Sequence, residues 1–481
     1  MCTLGALAGE LGVCLPQGTN GVREVQGLAW DSRRVNPGDL FFALPGRRTD
    51  GHAFISEAVS RGAVAVVCQR RVSGLEIPVL RVPDGRSALA RAAALFYGHP
   101  TSKLRAVGVT GTDGKSTVVH LLGQLLPECQ TVTTLSMETE RLSCVTTPEA
   151  PDLQRLAAQA VNRGRQAFAF EASSIGLAQR RVDGMRLAAA VFTGLGRDHL
   201  DYHGSPEAYL AAKLRLFRML TSEGWVVVGA GDPHYKAVCG AGGGRTVTFG
   251  VDAGHLSAEN VEPSGGGTMF QLVSPKDRRS VTLPLPGRHN LFNALAAGAC
   301  AWALGERPAD IADRLHRVSL PLGRWTRLRA PRGAEVVVDY AHTPAALELM
   351  LKELRPHSRR LLAVFGASGE ADRGKRPFMG QAAGRWADAV LITSDNPKSE
   401  EPAEIARQIA AGVTAASGEY EVHLDRTAAL RRALELAGPG DVVLVAGKGH
   451  ERCQVTADGP EPYSDLEVLR TLGATLLERL D

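Results

Sequence analysis

The chain has 481 residues, of which 44% are hydrophobic and 22% charged, as expected for an ordinary globular protein of about three domains. Its net charge of +4 is small, and no basic run carries interleaved aromatic residues, which argues against a general nucleic-acid-binding protein. Without a basic leader, an apolar run near ~18 residues or a CxxC pair among the eight cysteines, the sequence indicates neither export, a membrane span, a zinc site nor a disulfide framework. We therefore expect a cytoplasmic protein.

Residues 1–103 are predicted to form a small α/β domain. A polar loop and a Pro-Gly turn at Pro37 lead into a strand that ends near Leu44. Further apolar strands are expected at 64–67 and 78–82, and an alanine-rich helix at 87–96. Pro100 then precedes a change of pattern, which places a domain boundary near 103.

A glycine-rich stretch, Gly111-Thr-Asp-Gly-Lys-Ser-Thr117, follows a predicted strand at 104–109 and precedes a helix that Pro127 ends. A strand–turn–helix of this kind directs backbone N–H groups at one point, which suits a phosphate. Lys115 can reach the outer phosphates, and the hydroxyl of Ser116 or Thr117 can hold Mg²⁺. The spacing departs from the standard P-loop, which has glycine at the position of Val109. The alternative is a tight structural turn with an incidental lysine.

The middle section, residues 104–322, carries further polar residues after predicted strands. The strand at 167–170 runs into Glu171, and ligands of open α/β sheets bind at such carboxyl ends. Glu171 is therefore a candidate Mg²⁺ ligand, with a helix N-cap cluster as the alternative. A second apolar strand precedes a cluster of acids and histidines that includes His199. A helix is predicted at 209–220, where Lys213 taken alone reads as a solvated lysine.

Two further patterns complete the middle section. Short β-rich runs at 246–249, 269–273 and 281–285 alternate with glycine-rich turns, which predicts a small β appendage. From Gly287 an alanine-rich helix begins.

From residue 323 a new series of strands alternates with helices, at 335–338, 361–365, 389–393 and 442–446. This rhythm predicts βαβ units and a Rossmann-like parallel sheet. Each strand runs into a polar loop, at 339–344, 366–370, 394–398 and 447–451. Four strand ends that carry polar loops in one sheet predict a ligand-binding edge.

Together the motifs resemble those of the Mur ligases, and above all the UDP-N-acetylmuramoyl-tripeptide synthetases (MurE type). The resemblance covers nearly the whole chain in the family's order. The matching segments are Asp31-Ser-Arg33, Pro37-Gly-Asp-Leu40, the glycine-rich stretch, Thr146-Thr-Pro148, Glu171-Ala-Ser-Ser174, Arg197-Asp-His-Leu-Asp-Tyr-His-Gly204, Lys213, Asp339-Tyr-Ala-His-Thr-Pro344, Gly374-Lys-Arg-Pro377, Asp395-Asn-Pro397 and Gly447-Lys-Gly-His-Glu451.

The resemblance implies an α/β protein of three domains: a UDP-MurNAc-binding domain (1–103), a P-loop-type ATP-binding domain with a parallel sheet and the β appendage (104–322), and a Rossmann-like amino-acid-binding domain (323–481). ATP would phosphorylate the D-glutamate carboxylate of UDP-MurNAc-L-Ala-D-Glu. The amine of a diamino acid would then attack the acyl phosphate, giving an amide, ADP and phosphate. Two Mg²⁺ ions and a CO₂-derived carbamate on Lys213 are implied. The expected partners are small molecules only, and the protein is expected to be a monomer.

The resemblance also implies residue roles. Catalysis would involve Lys115, Glu171, His199 and Lys213, with Ser116, Glu171, His199 and Lys213 holding the metal ions. The nucleotide would contact Gly111, Thr112, Asp113, Gly114, Lys115, Ser116, Thr117, Asn293, Arg324, Asp339 and His342. The UDP-sugar peptide would bind Ser32, Thr146, Thr147, Ser173, Gln179 and Arg181. The amino acid would bind Arg376, Asp395, Asn396, Lys398, Gly447 and Glu451.

Five positions depart from the family pattern. Asp113 replaces an Asn, Ile175 a frequent His, and Trp325-Thr326 a Met-Glu pair. Lys398 replaces the Arg of diaminopimelate-adding members, and Lys lacks the bidentate geometry of Arg. This substitution favours L-lysine or L-ornithine as the acceptor, with meso-diaminopimelate as the alternative.

Three other functions remain open at the level of sequence. The D-Ala-D-Ala-adding Mur ligase and folylpolyglutamate synthetase share the ATPase centre, but the segments at Asp31 and Asp395 favour the tripeptide enzyme. A nucleotide-binding scaffold without turnover is the other alternative. Only Asp113 suggests it, because an acid near phosphates is repulsive.

Overall fold

The computed structural model describes residues 2–46, 49–134, 146–264 and 266–477. Three main sheets follow one another along the chain, within residues 27–81, 105–283 and 326–476. The predicted three-domain α/β architecture is confirmed, whereas the boundaries at 103 and 322 stay predictions. None of the described helices is long and apolar enough to cross a lipid bilayer.

The N-terminal region has a four-stranded parallel sheet with strand order β3-β4-β5-β6 and a two-stranded antiparallel pair, β1 and β2. Its elements are β1 Cys2–Thr3, α1 Leu4–Leu11, β2 Glu24–Val25, β3 Gly27–Ala29, β4 Asp39–Phe42, α2 Ile55–Ser60, β5 Ala65–Cys68, β6 Val79–Arg81 and α3 Gly85–Phe96.

The central region contains nine strands in the order β15-β14-β13-β12-β11-β10-β7-β9-β8. Its elements are β7 Arg105–Thr110, α4 Lys115–Leu125, β8 Cys129–Val132, α5 Ala150–Asn162, β9 Ala167–Glu171, α6 Ser174–Ala178, β10 Leu187–Phe192, α7 Leu200–His203, α8 Pro206–Leu214, β11 Leu220–Gly229, α9 Tyr235–Gly242, β12 Arg245–Val251, β13 Leu256–Ser264, β14 Gly267–Ser274, β15 Asp277–Leu283, α10 Arg288–Ala303 and α11 Pro308–Leu315.

Helices cover both faces of this sheet, which explains its continuous apolar strands. In β9, Ala167 and Ala169 join a core cluster with α4 and α10, whereas Phe168 and Phe170 join a second cluster with α5. Successive strand residues point to opposite faces, so both faces need apolar side chains.

The β-rich segment predicted as an appendage is hydrogen-bonded into the central sheet. β12 pairs in parallel with β11, and β13, β14 and β15 continue the sheet, the last two pairs being antiparallel. The predicted appendage is therefore one end of the central sheet, in which β12 is parallel to its neighbours and β14 and β15 are antiparallel to theirs.

The C-terminal sheet has the order β20-β19-β18-β21-β17-β16-β24, with parallel pairing from β17 to β20 and an antiparallel edge at β16 and β24. Its elements are β16 Thr326–Arg329, β17 Glu335–Asp339, α12 Pro344–Leu354, β18 Leu361–Phe365, α13 Arg376–Trp386, β19 Ala389–Ile392, α14 Pro402–Ala415, β20 Tyr420–Val422, α15 Arg426–Leu436, β21 Val442–Ala446, β22 Cys453–Thr456, β23 Gly459–Pro462, α16 Asp465–Thr471 and β24 Thr475–Leu476. The hairpin of β22 and β23 stands apart from this sheet.

Candidate active site

The glycine-rich loop joins the end of β7 to the start of α4 in a shape that only glycine fits. Gly114 has φ 84°, and a Cβ there would lie 2.5 Å from the Asn293 side chain. Gly111 has φ 153°, and its Cβ would lie 1.9 Å from the Thr193 hydroxyl. No side chain caps the first turn of α4, which leaves the N–H groups of that turn without a side-chain acceptor at the cap. This is the geometry that binds phosphate.

Two lysines meet at one carbonyl of this loop. The Nζ atom of Lys115 donates to the carbonyls of Gly111 (3.1 Å) and Thr112 (2.6 Å), and that of Lys213 donates to Gly111 at 2.6 Å. Burial lowers the pKa of both ammonium groups, and for Lys213 the charge of Lys115 adds to the effect. Lys213 is 1% exposed, so it is a buried lysine and not a solvated one.

The Glu171 carboxylate lies beside the loop lysine. Its Oε1 atom accepts the Thr134 N–H at 3.0 Å, and the side chain is 1% exposed. Burial raises the pKa of Glu171, an effect that the charge of Lys115 opposes. Ser116 accepts a hydrogen bond from Arg324 of the C-terminal region (3.2 Å). These groups line one cavity of about 130 Å³.

A buried ion pair joins the central and C-terminal regions at the same cavity. Lys375 Nζ lies 3.0 Å from Asp198 Oδ1, and His342 Nε2 lies 3.7 Å from Asp198 Oδ2. Burial alone would raise the pKa of Asp198, but His342 and Lys375 hold it well below its usual range. Burial lowers the pKa of the adjacent His199 to about 4, so its imidazole is neutral at physiological pH.

A second cavity, of about 410 Å³, lies between the loop and the C-terminal region. The predicted nucleotide residues that line it are Asp113, Gly114, Thr117, Asn293, Arg324 and Asp339. Asp113 accepts a hydrogen bond from the Thr343 hydroxyl (3.2 Å). Asp339 accepts the backbone N–H groups of Trp325 and Ala341, while His342 lines the phosphate-side cavity.

Four of the residues expected to bind the UDP-sugar peptide form one hydrogen-bonded group. The Thr147 hydroxyl lies 3.0 Å from that of Ser173, and Arg181 donates to the Thr147 carbonyl and to Gln179. Thr146 and Ser173 line the 130 Å³ cavity. Ser32 is separate, in the N-terminal region, where its hydroxyl donates to Glu57 at 2.8 Å.

A small third cavity, of about 30 Å³, lies at the carboxyl edge of the C-terminal sheet. Its lining includes Tyr340, His342, Gly366, Ala367, Ser368, Lys375, Asp395, Gly447 and Glu451. Glu451 Oε2 accepts hydrogen bonds from Asn396 (2.9 Å) and from Lys448 (2.8 Å). Lys448 is fully buried and was not among the predicted site residues, because a lysine between two glycines gives no sign that it will be buried.

Arg376 is a buried residue beside the small cavity, held by protein acceptors. Its side chain is 0% exposed, and its guanidinium donates to Glu400, to Gln408 and to the Ser368 carbonyl. The Nε atom of Arg376 has no hydrogen-bond partner among the described residues, and the assignment of this residue to the amino acid stays a prediction. Lys375, one residue earlier, lines the cavity.

Lys398 lies outside the lining of the small cavity. It is half-buried with φ 54°, and its backbone N–H donates to Val455. Within the described part of the chain, its ammonium group has no hydrogen-bond or ion-pair partner.

The metal-binding capacity of the site depends on few protein ligands. Among the described residues, no three His, Cys, Asp or Glu side chains form a ready metal cluster. Mg²⁺ prefers oxygen donors and takes only one or two from protein when phosphates supply others. The buried carboxylate of Glu171 and the hydroxyl of Ser116 fit that requirement.

Family models match three segments of the chain. They are described as the Mur ligase family catalytic domain (residues 24–97), the Mur ligase middle domain (109–301) and the Mur ligase glutamate ligase domain (323–449).

Curated relatives match over almost their full length. The UDP-N-acetylmuramoyl-L-alanyl-D-glutamate–2,6-diaminopimelate ligase of Geobacillus thermodenitrificans is 41% identical over 93% of this chain and 94% of its own. The enzyme of the same name from Caulobacter vibrioides is 40% identical, covering 93% and 95%. A UDP-N-acetylmuramyl-tripeptide synthetase of Roseiflexus is 39% identical, covering 94% and 95%.

One solved structure gives the same assignment, and a second shows the fold alone. A UDP-N-acetylmuramoyl-L-alanyl-D-glutamate–2,6-diaminopimelate ligase is 31% identical, covers 98% of each chain and has a TM-score of 0.65. MurF ligase from Thermotoga maritima, solved with ADP, shares the fold at 19% identity and a TM-score of 0.63, covering 94% and 97%. The chain therefore belongs to the Mur ligase family of ATP-dependent, ADP-forming amide ligases, and is of the tripeptide-synthetase (MurE) type.

Proposed function

We propose that this enzyme joins a diamino acid to the D-glutamate carboxylate of UDP-MurNAc-L-Ala-D-Glu in the cytoplasm, as a step of peptidoglycan precursor synthesis. The observation that carries the proposal is the position of Tyr340. This residue lines the 410 Å³ cavity, the 130 Å³ cavity and the 30 Å³ cavity. Nucleotide, UDP-sugar peptide and amino acid would therefore meet around one side chain.

Positioning and charge neutralisation dominate phosphoryl transfer. The loop N–H groups and Lys115 would hold the phosphates, and Arg324 lies over the Tyr340 ring at 4.4 Å, beside Ser116. Mg²⁺ bound by Ser116 and Glu171 would neutralise phosphate charge. A carboxylate oxygen of the substrate attacks the γ-phosphorus and ADP leaves. The amine nitrogen then attacks the acyl carbon and phosphate leaves.

His199 and Lys213 are proposed for a second Mg²⁺ site. A neutral imidazole can coordinate a metal, and the pKa of His199 keeps it neutral. A buried lysine with a lowered pKa holds a fraction of free amine, which is the form that reacts with CO₂. A carbamate on Lys213 would replace a cation by an oxygen ligand.

For the acceptor we propose meso-diaminopimelate. Relatives at 37–41% identity carry 2,6-diaminopimelate in their names, which supports this choice over the lysine or ornithine suggested by Lys398. The ammonium of Lys398, without a protein partner in the described structure, suits a carboxylate as a point charge. Glu451, already neutralised by Lys448, is less suited to a bare ammonium group.

The test is ADP release by the purified protein with UDP-MurNAc-L-Ala-D-Glu and each acceptor in turn. We expect release only when all substrates are present, and a kcat/KM for meso-diaminopimelate at least about tenfold above that for L-lysine or L-ornithine, or ~1.4 kcal/mol. A preference for L-lysine would contradict the acceptor assignment. Release with D-Ala-D-Ala or a folate instead would contradict the proposed reaction.

A further inference from the structure

A buried arginine lies directly behind the proposed amino-acid site. Arg426, the first residue of α15, pairs with Asp465, the first residue of α16, through bonds of 2.7 and 2.8 Å, and both side chains are 0% exposed. The same guanidinium donates to the Ser394 carbonyl (3.2 Å) and to the Ala446 carbonyl (2.9 Å). One side chain thus joins two helix starts to the ends of β19 and β21.

Both carbonyls belong to residues that directly precede proposed amino-acid ligands. Ser394 is followed by Asp395 and Asn396, and Ala446 by Gly447. The two strand ends touch, since a Cβ on Gly447 would lie 2.6 Å from Asp395 Oδ2. A shift of either strand end would therefore change the shape of a cavity of only about 30 Å³.

We infer that Arg426 is a positioning residue that sets the spacing of these two strand ends and thereby the affinity for the amino acid. The inference rests on the proposed function, because it assigns the cavity to that substrate. Arg426 lines none of the three cavities, and the strand ends that it holds carry Asp395 and Gly447, which line the amino-acid cavity and neither of the other two. Its effect is therefore confined to one of three substrates. A merely structural arginine would lower stability without such selectivity.

The test is steady-state kinetics of Arg426→Lys with each substrate varied in turn. Lysine keeps the charge but cannot reach Asp465 and both carbonyls with one fork. We expect the KM for the amino acid to rise at least about tenfold, since misplacements near 1 Å have effects of this size or larger. The KM values for ATP and the UDP-peptide should stay within about twofold.

Arg359→Lys is the matched control. Arg359 pairs with Asp441 at 3.0 Å, at the opposite end of β21, far from the cavity edge. The Arg359–Asp441 pair is partly exposed, so it does not control for unfolding of Arg426→Lys. A second variant of the buried pair therefore guards against that outcome. Replacing both partners, as Arg426→Met with Asp465→Leu, leaves no unpaired buried charge, and such replacements are often tolerated. The carbonyls of Ser394 and Ala446 still lose their donor.

The inference predicts a raised amino-acid KM in the folded double variant and an unchanged one in Arg359→Lys. Unchanged KM values in either folded Arg426 variant, or an equal rise for all three substrates, would overturn it. Failure of the proposed function is distinguishable, because the wild-type enzyme would then release no ADP with any diamino acid.

Discussion

At the scale of single residues, burial decides the chemistry of Lys213. Its position in a helix, after a cluster of acids and histidines, cannot show whether it faces water. In the structure its amine is buried against the Gly111 carbonyl, 4.4 Å from the Tyr209 ring centroid. An ammonium group in such a place loses hydration, which lowers its pKa and frees the amine.

The carbamate assignment predicts a rescuable loss of activity. Lys213→Ala should lower kcat by about 100-fold or more, because a charge-stabilising group is lost at the phosphates. Acetate or high bicarbonate should restore part of the lost kcat.

Wild-type activity should fall as pH falls through the lowered pKa of Lys213, because protonated amine does not react with CO₂. The rescued variant should lack this loss.

The control is Lys236→Ala, which removes an exposed lysine of α9. It should leave kcat and its pH dependence unchanged. Near wild-type turnover by Lys213→Ala, or no response to added carboxylate, would remove the carbamate from the account.

The residue scale is also where prediction from sequence fails most. The motif containing Arg376 marks a functional region, but its partners Glu400 and Gln408 lie 24 and 32 residues away. No local pattern reveals that they accept hydrogen bonds from its guanidinium. Arg426 and Asp465, 39 residues apart, were missed for the same reason.

At the scale of elements, the strand-end loops were predictable, whereas their contacts across regions were not. The four predicted strands followed by polar loops are present as β17, β18, β19 and β21. They were predictable because apolar runs followed by polar loops mark strand ends. The helix predicted at 209–220 ends at Leu214 and continues as a 3-10 turn, Arg215–Met219. Apolar spacing alone does not distinguish the two conformations.

The pair Lys375–Asp198 predicts coupling between two regions. Lys375→Met leaves a buried aspartate without its cation, and breaking such a pair costs about 3 kcal/mol. We expect kcat/KM for every substrate to fall about 100-fold. With an ATP analogue and the UDP-peptide bound, X-ray scattering should give Lys375→Met a larger radius of gyration than the wild-type enzyme.

Lys352→Met is the control, since Lys352 pairs with Glu348 on the surface of α12 and is 47% exposed. It should change neither kinetics nor scattering, because exposed pairs contribute little. If Lys375→Met had wild-type kinetics and an unchanged radius, the ion pair would not hold the regions together.

At the scale of the whole molecule, alternation of strands and helices was enough to predict three α/β units. The pairing of β12 with β11 could not be predicted in this way, because pairing within a sheet is a long-range property that periodicity does not encode. The joining of three cavities around Tyr340 likewise depends on how the central and C-terminal regions pack.

The central claim is that these cavities activate a glutamate carboxylate with ATP and pass it to a diamino acid. The most direct measurement uses UDP-MurNAc-L-Ala-D-Glu labelled with ¹⁸O in the D-glutamate carboxylate, together with ATP and meso-diaminopimelate. The account predicts UDP-MurNAc-tripeptide by mass spectrometry and one ¹⁸O atom in the released phosphate, because the carboxylate oxygen that attacks ATP leaves with phosphorus. Tripeptide formed with unlabelled phosphate, or ADP released without tripeptide, would contradict it.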